Sequence, residues 1–274
     1  VVILGGEAGI GKTTLARDLA RRARAAGALV LPAFCHDLMA VPPYGLWVDF
    51  AERYRQLTEA DSLPPLPAAL ADRALDRIGT QSALFAEVTG FLQEITASQP
   101  LVLVLEDVQW ADPASLELLR YLAARIAHLP LLVLVTYRVD ELTRQNPFYQ
   151  QLPALVRESE GLRIDLKRLD TAELDELVRM HYDLPDDDRE RLVAYLDTYA
   201  EGNPFFTLEL LRALEEQDNG GLAFVDGSWR LSEIDQLRVP QLVQQVIDAR
   251  VARLGEAIRE PLTIASVIGH DVPL

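Results

Sequence analysis

The sequence predicts an α/β fold, a parallel sheet flanked by helices, and three observations carry that prediction. Over residues 1–140, short β-rich runs alternate with amphipathic helical stretches, the order that βαβ units produce. Two of the runs, Leu101–Leu105 and Leu131–Val135, are apolar throughout, which suits strands covered on both faces. A glycine-rich turn, Gly6 to Gly11, separates the first run from the first helical stretch.

Taken in order, Val1–Leu4 reads as the first strand and Lys12–Ala26 as the first helix, with Gly27 as its stop. Ala28–Ala33 is the next strand. Pro42, Pro43, Pro64, Pro65 and Pro67 surround a helical segment at Leu46–Thr58, an elaborated connection and not a separate domain. A helix at Ser82–Ser98 leads into the apolar strand Leu101–Leu105. Asp112-Pro113 then opens a helix over Ala114–His128, with Asp112 in its default role of N-cap. Leu131–Val135 and Arg163–Leu166 complete the sheet. From Asp170 the texture becomes helical: Thr171–Tyr182, opened by the capping arrangement Asp170 to Glu173, then Asp187–Ala200, capped by the run Asp186-Asp187-Asp188, then Pro204–Gln217. Asp226-Gly227, between Leu222–Val225 and Trp229–Leu231, signals a hairpin. Helices at Pro240–Leu254 and Ala257–Ile268 follow.

Composition narrows the function classes. Of 274 residues 49% are hydrophobic and 25% charged, so a packed core is expected. The 42 acidic residues outnumber 26 Lys and Arg, giving a net charge of −16. Such a surface repels nucleic-acid backbones and anionic lipid, so no direct nucleic-acid or membrane binding is expected. The single cysteine, Cys35, rules out an intramolecular disulfide, and a cytoplasmic setting is expected. A buried thiol is the reading for Cys35, with His36 beside it in a loop. Trp47, Trp110 and Trp229 are expected in packing roles. The chain opens on Val1 within a β-type run and ends in the apolar stretch Leu262 to Leu274, so it reads as a piece of a longer protein.

Gly6-Glu7-Ala8-Gly9-Ile10-Gly11-Lys12-Thr13 fits the pattern GxxxxGK[ST], between a predicted strand and a predicted helix. Glycines let successive N–H groups turn inward around a phosphate, and the helix that follows offers the same anion its positive N-terminus. Lys12 would reach the β- and γ-phosphates, and Thr13 would place a hydroxyl on Mg²⁺. The plainer alternative is a glycine turn with a solvated lysine. The strand Leu101–Leu105 ends in Glu106-Asp107, beyond the carboxyl edge of the sheet where ligands bind in open α/β folds. One carboxylate would serve the Mg²⁺ shell and the other the attacking water; which does which stays open. Leu131–Val135 runs into Thr136-Tyr137-Arg138, which sets Arg138 at the rim where a γ-phosphate would lie. A pairing of Arg138 with Asp140 or Glu141 is the alternative.

Together GGEAGIGKTT, LVLVLEDVQWADPASLELLRYLA, LLVLVTYR and EGNPFF followed by LELLRAL resemble, in motif order and over nearly the whole chain, the STAND class of P-loop ATPases, with an AAA/NACHT-like ATPase domain. The likeness is to the nucleotide-binding modules of large LuxR-type transcriptional regulators. Similar modules occur in multidomain adenylate or guanylate cyclases and protein kinases, the alternative context. The resemblance implies a switch: ADP holds a closed form, while ATP with an inducer permits opening and self-association, with slow Mg²⁺-dependent hydrolysis. The family's phosphate loop maps onto Gly6 to Thr14, its acidic pair onto Glu106 and Asp107, and its sensor arginine onto Arg138. Its Gly-x-Pro motif falls on Gly202-Asn203-Pro204, whose proline would approach ATP or ADP from a helical lid; without the family these three residues read as a helix stop and restart. The implied domains are 1–168, the nucleotide-binding sheet; 169–218, the lid; and 219–274, the hairpin and the start of a winged-helix module, which in this family packs on the nucleotide domain. Other domains of the same longer chain are the implied partners. Glu106 stands where the family usually has aspartate, a longer side chain that would shift the metal shell.

Overall fold

The computed structural model describes residues 1–37, 42–57, 63–71, 81–216 and 221–232. The chain forms two compact units, Val1–Lys167 and Arg168–Leu274.

The first unit is built on five parallel strands, β1 (Val2–Gly6), β2 (Leu29–Phe34), β3 (Leu101–Glu106), β4 (Leu131–Arg138) and β5 (Leu162–Asp165), in the order β2-β3-β4-β1-β5. After β1 the chain crosses two strands to reach β2, then returns strand by strand until β4 lies against β1. This reversal makes a crevice at the carboxyl edge of the sheet, and it sets Gly6 of β1 in register with Arg138 of β4. Residues alternate between the faces of a strand, and β3 divides accordingly. Leu101, Leu103 and Leu105 join a large core with Trp47, Phe50 and Phe91, while Val102 and Val104 join a smaller one with Ala16 and Ala20. The large core is supplied by α2 (Gly45–Arg55), α3 (Ala68–Ala71), α4 (Gln81–Ser98), α5 (Pro113–Ala123) and α6 (Pro147–Glu158). The smaller one lies under α1 (Lys12–Ala25), whose alanines sit one turn apart and allow a close approach to β1 and β3.

Several boundaries differ from those the sequence predicts. β4 continues to Arg138 because Thr136 and Tyr137, although polar, are buried with the strand. α5 stops at Ala123, ahead of the expected His128: the N–H groups of Arg125 and Ile126 both bond the Leu122 carbonyl, and this tightening ends the ladder. Helix α6 has no counterpart in the sequence reading, since Pro153 within it looks like a breaker. Its start is nonetheless well built. Asn146 accepts the N–H groups of Phe148 and Tyr149, Pro147 occupies the first turn, and Phe148, Leu152 and Leu155 are buried. Asp112 caps α5 as expected and does more: its carboxylate also accepts the N–H groups of Tyr44 and Gly45, pinning the start of α2. Cys35 is buried, and burial, followed by the charge of Asp112, pushes its thiol up to about 12.

In the second unit α7 (Thr171–His181), α8 (Asp186–Ala200) and α9 (Pro204–Glu215) enclose a core of Leu174, Val178, Leu192, Leu196, Leu210 and Leu214 with the hairpin β6 (Leu222–Val225) and β7 (Ser228–Leu231). The capping box of Asp170 and Glu173 is present. Asp226 and Gly227 both have positive φ, the hairpin turn the sequence signals. Asp186, Asp187 and Asp188 lie in the first turn of α8 and do not cap it; Pro185 holds the N-cap position. Their charges still complement the positive end of the helix. Gly202 stands at φ 72°, where a Cβ would lie 2.1 Å from the Leu169 carbonyl oxygen, and the Leu169 N–H donates to the Gly202 carbonyl at 2.8 Å. Only glycine fits there. The helices expected at Pro240–Leu254 and Ala257–Ile268, and with them the winged-helix start, lie outside the described residues. Among the described residues no helix is long and apolar enough to cross a membrane.

Candidate functional site

The predicted phosphate motif runs from Gly6, the last residue of β1, through the loop 7–11 into Lys12, Thr13 and Thr14 in the first turn of α1. Ile10 is buried and anchors it, whereas Gly9 and Thr14 are exposed. Gly11 adopts φ 104°, and a Cβ there would meet nothing within 4 Å, so its role is to turn the backbone and not to pack. α1 then starts with no side-chain cap and no acidic residue in its first turn. A helix start of this kind leaves N–H donors and a positive dipole end for an anion. Lys12 is 7% exposed, and its Nζ donates to the carbonyls of Gly6 at 2.8 Å and Glu7 at 2.7 Å. Burial holds its pKa below the ordinary lysine value; the charge of Arg138 adds to this, and Asp107, Asp140 and Glu141 oppose it. Five charges from three segments therefore converge on the mouth of the loop.

The acidic pair at the end of β3 divides. Glu106 is buried, and its Oε2 accepts the Thr13 hydroxyl at 2.7 Å. Asp107 turns the other way because its backbone is left-handed, at φ 57° and ψ 44°, a conformation that asparagine and aspartate tolerate best among non-glycine residues. Its N–H donates to Thr136 Oγ1 at 3.2 Å. Its carboxylate accepts from Arg138 Nε at 3.3 Å and Nη2 at 3.4 Å, and from Gln109 Nε2 at 3.3 Å. Arg138 Nη1 donates to Glu141 Oε1 at 2.9 Å, and the guanidinium lies 4.7 Å from the centre of the Trp110 ring.

Gln109 and Trp110 were not singled out for this site by the sequence. Both belong to a short 3₁₀ turn, Val108–Trp110, that follows the acidic pair. Gln109 is 3% exposed; its Oε1 accepts the Arg138 N–H at 3.1 Å, and its Nε2 also reaches Glu141 Oε2 at 3.3 Å. Asn146, which caps α6, donates to the Gln109 carbonyl at 2.9 Å. The signal available in sequence was a glutamine between the apolar residues Val108 and Trp110. Pro204 lies in the second unit, in the first turn of α9 behind the N-cap Asn203.

The donor set suits a nucleotide with a hard cation. The Thr13 hydroxyl and Glu106 carboxylate are oxygen donors of the kind magnesium takes. Among the described residues no group of three or more His, Cys, Asp or Glu is arranged to hold a metal.

Residues 1–135 match the family model of the AAA ATPase domain. This part of the chain is similar to AAA ATPase domains. A curated relative, an uncharacterized protein of Rhizobium meliloti (strain 1021), is 26% identical over the whole chain, which spans 28% of that protein's length. Among solved structures, the Aeropyrum pernix ORC2 protein in its ADPNP–ADP complexes matches 93% of this chain and 63% of its own, at 18% identity and a TM-score of 0.52. A signal transduction ATPase with numerous domains and a tetratricopeptide repeat sensor, from Pyrococcus horikoshii, matches 79% of this chain and 28% of its own, at 20% identity and a TM-score of 0.49. The fold is that of the P-loop NTPases, a parallel sheet flanked by helices, and the AAA ATPase match runs from β1 through most of β4.

Proposed function

We propose that this chain is an ATP- and ADP-binding regulatory switch with slow Mg²⁺-dependent hydrolysis, part of a signal-responsive bacterial transcription regulator of the large LuxR type. The observation that carries the reading is the 2.7 Å hydrogen bond between Thr13 and Glu106, which joins the loop after β1 to the carboxylate at the end of β3. The LuxR-type context is supported by the motif order of the sequence.

In this reading the loop Gly6 to Gly11 and the first turn of α1, with Thr13 and Thr14, hold the phosphates. Lys12 exchanges the Gly6 and Glu7 carbonyls for phosphate oxygens, a trade that keeps the ammonium satisfied in both states. Thr13 and Glu106 hold Mg²⁺, with Glu106 on the metal side and Asp107 on the water side. Magnesium supplies neutralisation of the charge on the β- and γ-phosphate oxygens. Arg138 stands in register with Gly6 and reads the third phosphate. Asp107 already accepts from Arg138 and Gln109, and these partners must give way before it can take up a water, which fits slow turnover. Pro204 belongs to this reading only through the family resemblance, and the bound state promotes self-association.

Thermal melting tests this. With Mg²⁺ and millimolar ADP the midpoint should rise, since a ligand at about 100 times its Kd stabilises the native state by about 2.7 kcal/mol, and ATP turnover should stay below about one per second. An unchanged midpoint with both ADP and ATP contradicts the reading.

A further inference from the structure

The contacts of Arg138 are unequal, and the inequality bears on how this site distinguishes ATP from ADP. The two approaches to Asp107, at 3.3 and 3.4 Å, are long for charge-assisted bonds, while the one to Glu141 is 2.9 Å. The three side chains stay about one-fifth to one-quarter exposed, at 27% for Arg138, 26% for Asp107 and 18% for Glu141, so the pairs are only partly screened by water. Gln109 fixes the spacing of the clamp. Its buried amide donates to both carboxylates and accepts the backbone N–H of Arg138. Arg138 is therefore held at its backbone by Gln109, and its guanidinium on its flank by Trp110 and at its tip by Glu141.

A third phosphate at the neighbouring loop can recruit Arg138 only by competing with these carboxylates. The long contacts to Asp107 yield with little loss. The short one to Glu141 is the contact that resists. ADP has no third phosphate and does not recruit Arg138, so it leaves the clamp intact. We infer that Glu141 is a specificity-determining residue of this nucleotide site: by competing with the third phosphate for Arg138, it lowers affinity for ATP relative to ADP. Gln109 is the positioning residue that holds Glu141 and Asp107 around the guanidinium. The inference rests on the nucleotide-switch reading above.

The test is equilibrium titration of the chain with Mg²⁺ and either ADP or a non-hydrolysable ATP analogue, on the natural sequence, on Glu141→Gln, and on both in an Arg138→Ala background. Glu141→Gln keeps the shape and removes the charge. It should tighten the ATP analogue about threefold to tenfold and leave ADP affinity unchanged, which also reports that the variant is folded. In the Arg138→Ala background the substitution should change neither ligand. If Glu141→Gln shifts both nucleotides equally, shifts neither, weakens the analogue, or acts as strongly without Arg138, the inference is overturned while the nucleotide site stands. If the natural sequence binds neither nucleotide, the switch reading itself fails and takes the inference with it.

Discussion

Two turns in this molecule look alike in sequence and are built for opposite ends. The loop Gly6 to Gly11 before α1 and the turn Gly202-Asn203-Pro204 before α9 both pass from glycine into a helix start. Before α1 the glycine opens space: Gly11 faces nothing within 4 Å, and the helix has no side-chain cap. Before α9 the space is used up. Gly202 is packed against the Leu169 carbonyl, Asn203 accepts the Phe205 N–H at 3.1 Å, and Pro204 fills a position that needs no donor. One turn leaves its donors for a ligand, and the other spends them on its own fold. A glycine before a helix therefore says little about binding until its surroundings are known.

Alanine at the two glycines should separate them. Gly202→Ala forces a Cβ against a backbone oxygen as well as a positive φ, and should destabilise the second unit by about 3 kcal/mol or more. Gly11→Ala adds only the backbone strain, about 1–2 kcal/mol, because its surroundings are open. Urea unfolding of both variants measures this; equal losses would erase the distinction. Asn203→Ala should have the smaller effect of a lost cap, about 1 kcal/mol, read as a lowered melting midpoint without nucleotide. A larger loss would mean that the buried Asn203 holds more than α9.

What was legible in the sequence follows the same division. The phosphate loop could be read because its chemistry is written in consecutive residues, and β3 and β4 could be read because their apolar runs are unbroken. The separation of Glu106 from Asp107 could not, since it depends on the left-handed turn at Asp107 and on the register that brings β4 alongside. Arg138 was identified at the rim, and the alternative of its pairing with Asp140 or Glu141 is met by Glu141; what no local pattern encodes is that Asp107 at the end of β3 and Gln109 in the 3₁₀ turn join it. Helix α6 was hidden by Pro153, although Asn146-Pro147 is a sound helix start. Gly202 illustrates the same limit: its need for glycine comes from Leu169, thirty-three residues earlier in the chain.

The central claim is that Lys12 and the open loop around it exist to take a nucleotide's terminal phosphates, and isothermal titration with ADP and Mg²⁺ on the natural chain and on Lys12→Ala addresses it directly. Charged hydrogen bonds contribute about 1.5–3 kcal/mol each, so the variant should bind about a hundredfold more weakly or worse. Its unfolding midpoint without nucleotide should fall modestly, because the bonds Lys12 gives to the Gly6 and Glu7 carbonyls are lost while the burial cost of the ammonium is relieved. Equal affinities in the two proteins, or binding in neither, would contradict the account.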